Sequence, residues 1–250
     1  MKLLVIVLCL LAERFVVHAA SHKRFHWFSM YISYVEQRFL KVAFLSSPWL
    51  ILAFILLPFV VIIFFTLFYF ANSVYGFVGL LLNLIIVYGC IGPGNPFYPV
   101  HTTAEKEVSR EDIAEYLEQV NGQLFAVLFW YIVLGPLAAM MYRLISQSRH
   151  QPSLNLLASR LTNIFDWIPA RITVLLYLLV GNFQAGLRDF SKLFFKPPAN
   201  NQTLLRVCGL QALDSSGVES AKILRAESLV EHAVILLLVL LAFFTLVAWI

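Results

Sequence analysis

The sequence predicts an all-α integral membrane protein, with about four or five transmembrane helices and additional amphipathic helices at the interface. Of its 250 residues, 60% are hydrophobic and only 13% are charged, whereas a soluble domain carries about 25% charged residues. No Asp, Glu, Lys or Arg occurs in 42–104, 119–142 or 232–250, and one crossing needs about 20 apolar residues. Because these windows lack the alternating pattern of a β-barrel, the predicted spans are helices.

The predicted spans of this single membrane domain cover about 48–70, 74–91, 123–143, 166–181 and 229–250. Two more polar segments, about 92–122 and 182–228, separate them. Together with the region before the first long span, these segments hold most of the lysine and arginine. The positive-inside rule therefore places them in the cytoplasm.

Two segments of different character precede the first long span. An apolar run that ends in Glu13-Arg14 predicts a helix over 1–18 with Glu13 turned to a polar interior. A cleaved secretory signal peptide is the alternative for this run. The next segment, 21–44, interleaves cations with aromatic rings and predicts an amphipathic helix lying in the interface.

Local patterns predict where two later helices begin and break. Ser109 followed by Asp112 matches a capping box, in which each residue bonds the backbone N–H of the other. The dipeptide Gly135-Pro136 is predicted to break the helix that contains it. Arg143 follows this helix and is predicted to extend its charged head to the interface.

The most informative stretch is 165–181, FDWIPARITVLLYLLVG. Asp166 precedes its first helical turn and is predicted to cap that turn. Arg171 lies further in, and its predicted partners are Asp166, Glu13 or a lipid phosphate. Ionisable groups at membrane depth usually face a protein interior or a wet cavity. The stretch therefore predicts an internal polar network, which is either a binding site or a polar contact that joins helices.

The members of the predicted intramembrane network are Glu13, Arg14, Asp166 and Arg171, with Asn121, Tyr142, Arg143 and Pro169 as secondary candidates. No catalytic residue, metal site or cofactor is predicted. The phosphate-binding, dinucleotide-binding, zinc-protease and serine-hydrolase motifs are absent from the sequence. Its three cysteines have no paired spacing.

Two blocks resemble the AmpE/CobD-like superfamily of bacterial inner-membrane proteins. They are LFAVLFWYIVLGPLAAMMYRL at 124–144 and FDWIPARIT at 165–173. The CobD/CbiB branch of that superfamily joins an aminopropanol phosphate to a corrinoid carboxyl group. Its G-R-D-T, E-N-x-x-D-G and N-T-L-D-S-M motifs are replaced here by VSRED at 108–112, EQVNG at 118–122 and RLISQS at 143–148. With LLAERF at 10–15, the resemblance favours the AmpE branch.

The resemblance to AmpE implies a non-enzymatic regulatory or sensor protein, linked to β-lactamase induction and muropeptide recycling. It implies a multi-pass location in the bacterial inner (cytoplasmic) membrane. The implied partners are the lipid bilayer and a muropeptide or another regulatory protein, with no nucleic acid. One alternative is a CobD/CbiB-type adenosylcobinamide-phosphate synthase, and a second is a small-solute transporter.

Overall fold

The structure, a computed structural model, describes residues 2–15, 26–39, 47–70, 77–92, 97, 109–213 and 219–247. Every regular element in these ranges is a helix, which confirms the predicted all-α class. The helices in chain order are α1 (Lys2–Phe15), α2 (His26–Phe39), α3 (Pro48–Phe70), α4 (Phe77–Cys90), α5 (Arg110–Val120), α6 (Ala126–Leu134), α7 (Pro136–Ser148), α8 (Asn155–Phe165), α9 (Trp167–Val180), α10 (Phe183–Leu193), α11 (Asn201–Ala212) and α12 (Glu219–Val247). A π-helical segment, Asn121–Phe125, joins α5 to α6, and a 3₁₀ turn, Pro198–Asn200, precedes α11.

Three helical segments of the described ranges are long and apolar enough to cross a membrane: Pro48–Tyr69, Arg110–Leu134 and Ile223–Val247. The broken pair α8 and α9 makes a fourth if the two helices form one span, and α4 is apolar but shorter. These segments support the predicted membrane protein. The limits of each span in the bilayer stay predictions.

The chain forms two compact units. Unit 1 contains Met1–Pro93 and Val127–Ile164, and unit 2 contains Gly94–Ala126 and Phe165–Ile250. In unit 1, α4 packs against α1 and α7, and α3 packs against α2, α4 and α7. The contact between α2 and α3 is aromatic, with the rings of Trp27, Phe28 and Tyr31 at 5.4–5.9 Å from that of Phe59. The rest of the predicted interfacial segment 21–44 lies outside the described residues.

Helix α9 is the centre of unit 2. It packs against α10, α11, α12 and the π-helical segment, while α11 and α12 also pack against α5. Eight of the 14 residues of α9 are buried. A helix that is hydrophobic on most of its surface lies either in a protein core or in lipid, and much of the surface of α9 faces protein.

Both predicted helix boundaries are confirmed. The side chain of Ser109 accepts the backbone N–H of Asp112 at 3.2 Å, and Asp112 accepts the backbone N–H of Ser109 at 2.8 Å. Helix α6 ends at Leu134 and α7 begins with Pro136. Gly135 between them has a φ of 92° and a ψ of −171°, a conformation that is essentially restricted to glycine.

Replacing Gly135 by alanine should lower the free energy of unfolding by about 1–3 kcal/mol, the usual cost of such backbone strain. A Cβ atom at this position would meet no atom within 4 Å, so the strain alone is tested. Gly89→Ala in α4 is the matched control, because its Cβ also meets nothing within 4 Å and its φ is ordinary. The control should leave stability unchanged or raise it slightly. Equal melting temperatures of Gly135→Ala and Gly89→Ala in detergent would contradict the proposed backbone strain at position 135.

Candidate functional site

Unit 2 encloses five polar side chains that are almost inaccessible to solvent. We call them the α9 polar cluster: Asn121, Arg171, Thr173, Tyr177 and Asn201. Three of them belong to α9, one begins the π-helical segment, and one begins α11. Buried polar groups are stabilised only when they are hydrogen-bonded, so their partners define what this cluster can do.

Arg171 joins α9 to the segment that follows α10. Its Nε donates to the carbonyl oxygen of Phe194 at 2.7 Å, and its Nη2 donates to that of Lys196 at 2.9 Å. Its Nη1 donates to the carbonyl oxygen of Trp167 at 2.6 Å and to Oδ1 of Asn201 at 3.0 Å. The guanidinium group thus lies beside the C-terminal end of α10, where a positive charge is favoured by the helix dipole.

The indole ring of Trp167 stacks on the same guanidinium group. The Cζ of Arg171 lies 4.1 Å from the centroid of the indole ring, within the range of a cation–π contact. The indole N–H donates to the carbonyl oxygen of Lys196 at 3.1 Å. Because all three guanidinium nitrogens donate to protein acceptors, Arg171 acts here as a structural clamp between chain segments.

The second part of the cluster lies at the π-helical segment. Oγ1 of Thr173 donates to Oδ1 of Asn121 at 2.9 Å, and the Tyr177 hydroxyl donates to the carbonyl oxygen of Leu117 at 3.3 Å. The backbone N–H of Ala126 bonds to the carbonyl oxygen of Asn121, five residues earlier, which is the hydrogen-bond pattern of a π-helix. π-Helical segments occur frequently at functional sites, so Asn121 is the best candidate for a functional side chain here.

Charged side chains of α5, α10 and α11 form further polar pairs within unit 2. Glu118 accepts a hydrogen bond from Nε of Arg206, and this bond raises the pKa of Arg206. Asp189 accepts bonds from Gln211 at 2.6 Å and from Lys192 at 2.9 Å, and these bonds lower the pKa of Asp189. Burial raises the pKa of the Cys208 thiol to about 12, with a smaller contribution from Asp189.

The predicted network has members in both units. Glu13 and Arg14 lie at the end of α1 in unit 1, with Glu13 fully buried, as the sequence predicts. Asp166 and Arg171 belong to unit 2, where Pro169 is buried in the first turn of α9. A single network of these four charged residues stays a prediction.

Two expectations for individual side chains are wrong. Asp166 makes no capping hydrogen bond. Its backbone is helical, with φ −76° and ψ −9°, whereas a capping residue needs an extended backbone. Arg143 does not extend to the interface, because it is 2% exposed, as is its neighbour Tyr142. The pairing of Arg171 with a carboxylate or a lipid phosphate stays a prediction, beside the protein acceptors given above.

Sequence reasoning missed Asn201, Thr173 and Tyr177 as site residues. Thr173 and Tyr177 are four residues apart, so they share one face of α9. This spacing could have identified them beside Arg171. Asn201 is the first residue of α11 and lies in a polar stretch, NNQT at 200–203, so no pattern around it predicts burial. Among the described residues, no group of three or more His, Cys, Asp or Glu is placed to hold a metal ion.

Curated relatives are similar to part of this chain. The cobalamin biosynthesis protein CobD of Chromobacterium violaceum is 34% identical over 92 residues, which cover 34% of this chain and 30% of the relative. CobD of Stutzerimonas stutzeri is 28% identical over 92 residues, with the same coverage. A probable CobD of Pyrococcus furiosus is 29% identical over 85 residues, covering 31% of this chain and 30% of the relative. No protein-family model matches the chain. No solved structure matches it.

These similarities support a CobD-like chain and correct two expectations. The relatives are named for cobalamin biosynthesis, which agrees with the alternative rather than with a regulator of β-lactamase induction. The AmpE assignment is therefore unsupported, and the interpretation as a non-enzymatic regulator is wrong. The expectation that the protein is not an enzyme is wrong for the same reason.

Proposed function

We propose that this chain is a membrane enzyme of cobalamin biosynthesis of the CobD type. The observation that carries the proposal is the 34% identity to CobD of Chromobacterium violaceum over 92 residues. The aligned stretch is about a third of the length of each protein, so the activity of the whole relative is part of the proposal. The apolar helices of the described ranges fit a multi-pass location in the bacterial inner membrane.

The proposed reaction joins the amine of an aminopropanol phosphate to a carboxyl group of a corrinoid acid. The amine nitrogen forms the new amide bond and loses a proton, and the carboxyl group loses one oxygen. That oxygen is a poor leaving group unless it is first activated. Transfer of the terminal phosphoryl group of ATP to the carboxylate would activate it, and inorganic phosphate would then leave when the amine attacks.

Unit 2 contains the residues to which we assign a role in this reaction. Asn121 and Gly122 lie in the π-helical segment, and Arg171 belongs to the WIPAR sequence that the chain shares with the CobD branch. Arg171 is a positioning residue, since its bonds to the carbonyl oxygen of Phe194 and to the side chain of Asn201 hold α9 against the end of α10 and the start of α11. Asn121 is the second proposed positioning residue, because its buried amide holds the segment that departs from α geometry against Thr173 of α9.

Complementation tests this proposal directly. A bacterial strain that lacks its own CobD should regain cobalamin-dependent growth when it expresses this chain, without added cobinamide. Membranes containing the protein should convert corrinoid acid, aminopropanol phosphate and Mg-ATP into the amide, detected by mass spectrometry. Membranes with CobD of Chromobacterium violaceum are the positive control. If those membranes form product and membranes with this chain form none above empty-vector membranes, the proposal is wrong.

Asn121→Ala should lower product formation at least tenfold while the protein remains folded. The buried Thr173 hydroxyl would lose its acceptor at a cost of about 1–3 kcal/mol, so the melting temperature should fall by several degrees. Gln119→Ala is the matched control, because Gln119 lies two residues earlier, is exposed and bonds only to the side chain of Glu115. Full activity of folded Asn121→Ala would remove Asn121 from the site. Equal losses in both variants would indicate a general disturbance of the helix.

A further inference from the structure

Unit 2 exposes two stripes of large apolar side chains on consecutive helices. On α9, Ile168, Leu175 and Leu179 are 46%, 40% and 52% exposed. On α10, Phe183 and Leu187 are 38% and 42% exposed. The spacing of four or seven residues places each set on one face of its helix. We call these five residues the α9–α10 apolar face.

The two helices run antiparallel. Gly181 and Asn182 form the turn between them. At the other end, Arg171 near the start of α9 donates to the carbonyl oxygen of Phe194, which follows α10. Near the turn, Gly186 of α10 lies so close to the side chain of Leu178 that a Cβ atom would overlap it. Arg171 and Leu178 therefore mark the side of α9 that faces α10, and Gly186 marks the side of α10 that faces α9.

Helix geometry places both stripes on the same side of this hairpin. At 3.6 residues per turn, the stripe on α9 is rotated by about 80° from the position of Leu178. The stripe on α10 is rotated from the position of Gly186 by about the same angle and in the same sense. Because antiparallel helices are viewed from opposite ends, equal rotations in the same sense point to the same side. The five residues thus form one continuous surface.

Charge limits how this surface can meet a membrane. Lys192 is exposed on the side of α10 opposite to Phe183 and Leu187, and Arg188 is exposed about 120° around the helix from the centre of their stripe. Lys196 is exposed just beyond the helix. Cations inside hydrocarbon are costly, so α10 does not cross the bilayer. An apolar face backed by cations is typical of a helix lying in the interface, where it meets acyl chains on one side and headgroups on the other.

Helix α12 connects the same unit to the membrane. Its first half packs into the unit, with Ala226, Val230 and Ala233 fully buried. Its second half is apolar and exposed, with Val239 at 58% and Phe243 at 61%, and it belongs to the candidate span Ile223–Val247. Lipid around the exposed second half of α12 is therefore available to a lipid-facing patch on the same unit.

We propose that the α9–α10 apolar face lies in the boundary between the acyl chains and headgroups of the bilayer, and that the cations of α10 face the anionic headgroups and water. The hairpin then anchors unit 2 to the membrane surface independently of α12. The occupant of the face is lipid rather than a second protein chain. This proposal does not depend on the enzymatic activity.

Spin labelling of the full-length protein in nanodiscs tests the proposal. Cysteine is introduced by Leu179→Cys or Leu187→Cys, and Arg188→Cys, about 120° around α10 from the centre of the apolar stripe, is the matched control. The native cysteines are buried, and a mock-labelled parent protein corrects for any reaction at them. Collisions with oxygen, which concentrates in lipid, are compared with collisions with a water-soluble nickel complex. The ratio of oxygen to nickel collisions should be several-fold higher at positions 179 and 187 than at 188.

Two results would overturn the proposal. Nickel accessibility at position 187 equal to that at 188 would mean that the apolar face lies in water. Exclusion of both oxygen and nickel, with an immobile label, would mean that another protein chain covers it. Because all three positions are exposed in the folded chain, a misfolded variant is recognised by its lower melting temperature. Ile168→Cys then supplies a second position on the same stripe.

Discussion

Arg171→Met is expected to lower the free energy of unfolding by about 3–5 kcal/mol, since each buried acceptor left without its donor costs about 1–3 kcal/mol. Methionine fills a similar volume but donates no hydrogen bond. The carbonyl oxygens of Phe194 and Lys196 and the side chain of Asn201 would all lose the Arg171 donor. Denaturant unfolding, followed by the fluorescence of the five tryptophans of the chain, would measure the loss of unfolding free energy.

Arg206→Met is the matched control for this variant. Arg206 also pairs with a protein acceptor, Glu118, but its side chain is 44% exposed. Exposed ion pairs contribute about 0–1 kcal/mol, so this control should be nearly neutral. Arg171→Lys should be intermediate, because an ammonium group retains the charge but lacks the planar fork that reaches several acceptors. If Arg171→Met lowers the free energy of unfolding no more than Arg206→Met does, Arg171 does not act as a clamp.

Gly181→Ala should cost about 2–3 kcal/mol, at the upper end of what overpacking usually costs. A Cβ atom here would overlap the carbonyl oxygen of Ala212 and approach that of Tyr177 at 3.0 Å. Both obstacles are backbone atoms, so no side-chain rotation relieves the overlap. The same carbonyl oxygen of Ala212 accepts the backbone N–H of Asn182 at 3.0 Å, and this bond would be strained as the turn moves away from α11.

Gly186→Ala separates this backbone effect from a general effect of added volume. Its Cβ atom would also overlap a neighbour, but that neighbour is the end of the flexible side chain of Leu178. A rotamer change and the better helix propensity of alanine should offset much of the cost. The loss should therefore be clearly smaller than that of Gly181→Ala in the same unfolding assay. The opposite order would contradict the close approach of the turn to α11.

The features predicted correctly from the sequence are those in which the interacting residues are close along the chain. The capping box joins Ser109 to Asp112, and the break between α6 and α7 is encoded in Gly135-Pro136. The apolar composition likewise predicts helices in a membrane protein. These features follow from local backbone geometry and from the lipid that surrounds the chain, and none of them depends on tertiary contacts.

The partners of Arg171 could not be predicted because most of them are backbone carbonyls. Every residue carries such an acceptor, so no side-chain pattern identifies Phe194 or Lys196, which follow Arg171 by 23 and 25 residues. Composition also cannot distinguish burial in protein from exposure to lipid. Helix α9 therefore resembles a lipid-facing helix in sequence, although its partners α10, α11 and α12 cover much of it.

The branch of the superfamily was predicted wrongly for a related reason. The absence of the G-R-D-T and N-T-L-D-S-M motifs favours AmpE, whereas the curated relatives are named CobD. Asn121 shows why absent motifs are a poor guide, because its position depends on the π-helical segment and on Thr173, which is 52 residues away. Contacts of this kind arise from tertiary packing between distant residues, and short sequence motifs do not predict them.

The buried thiols give this protein built-in reporters of local opening. Cys9 and Cys90 lie in unit 1 and Cys208 lies in unit 2, and all three are free and buried. An alkylating reagent can react with each thiol only when the surrounding helices separate, so the labelling rate measures the population of the open state. Mass spectrometry of the labelled peptides would then give an opening free energy for each unit separately, within the intact membrane protein and without denaturant.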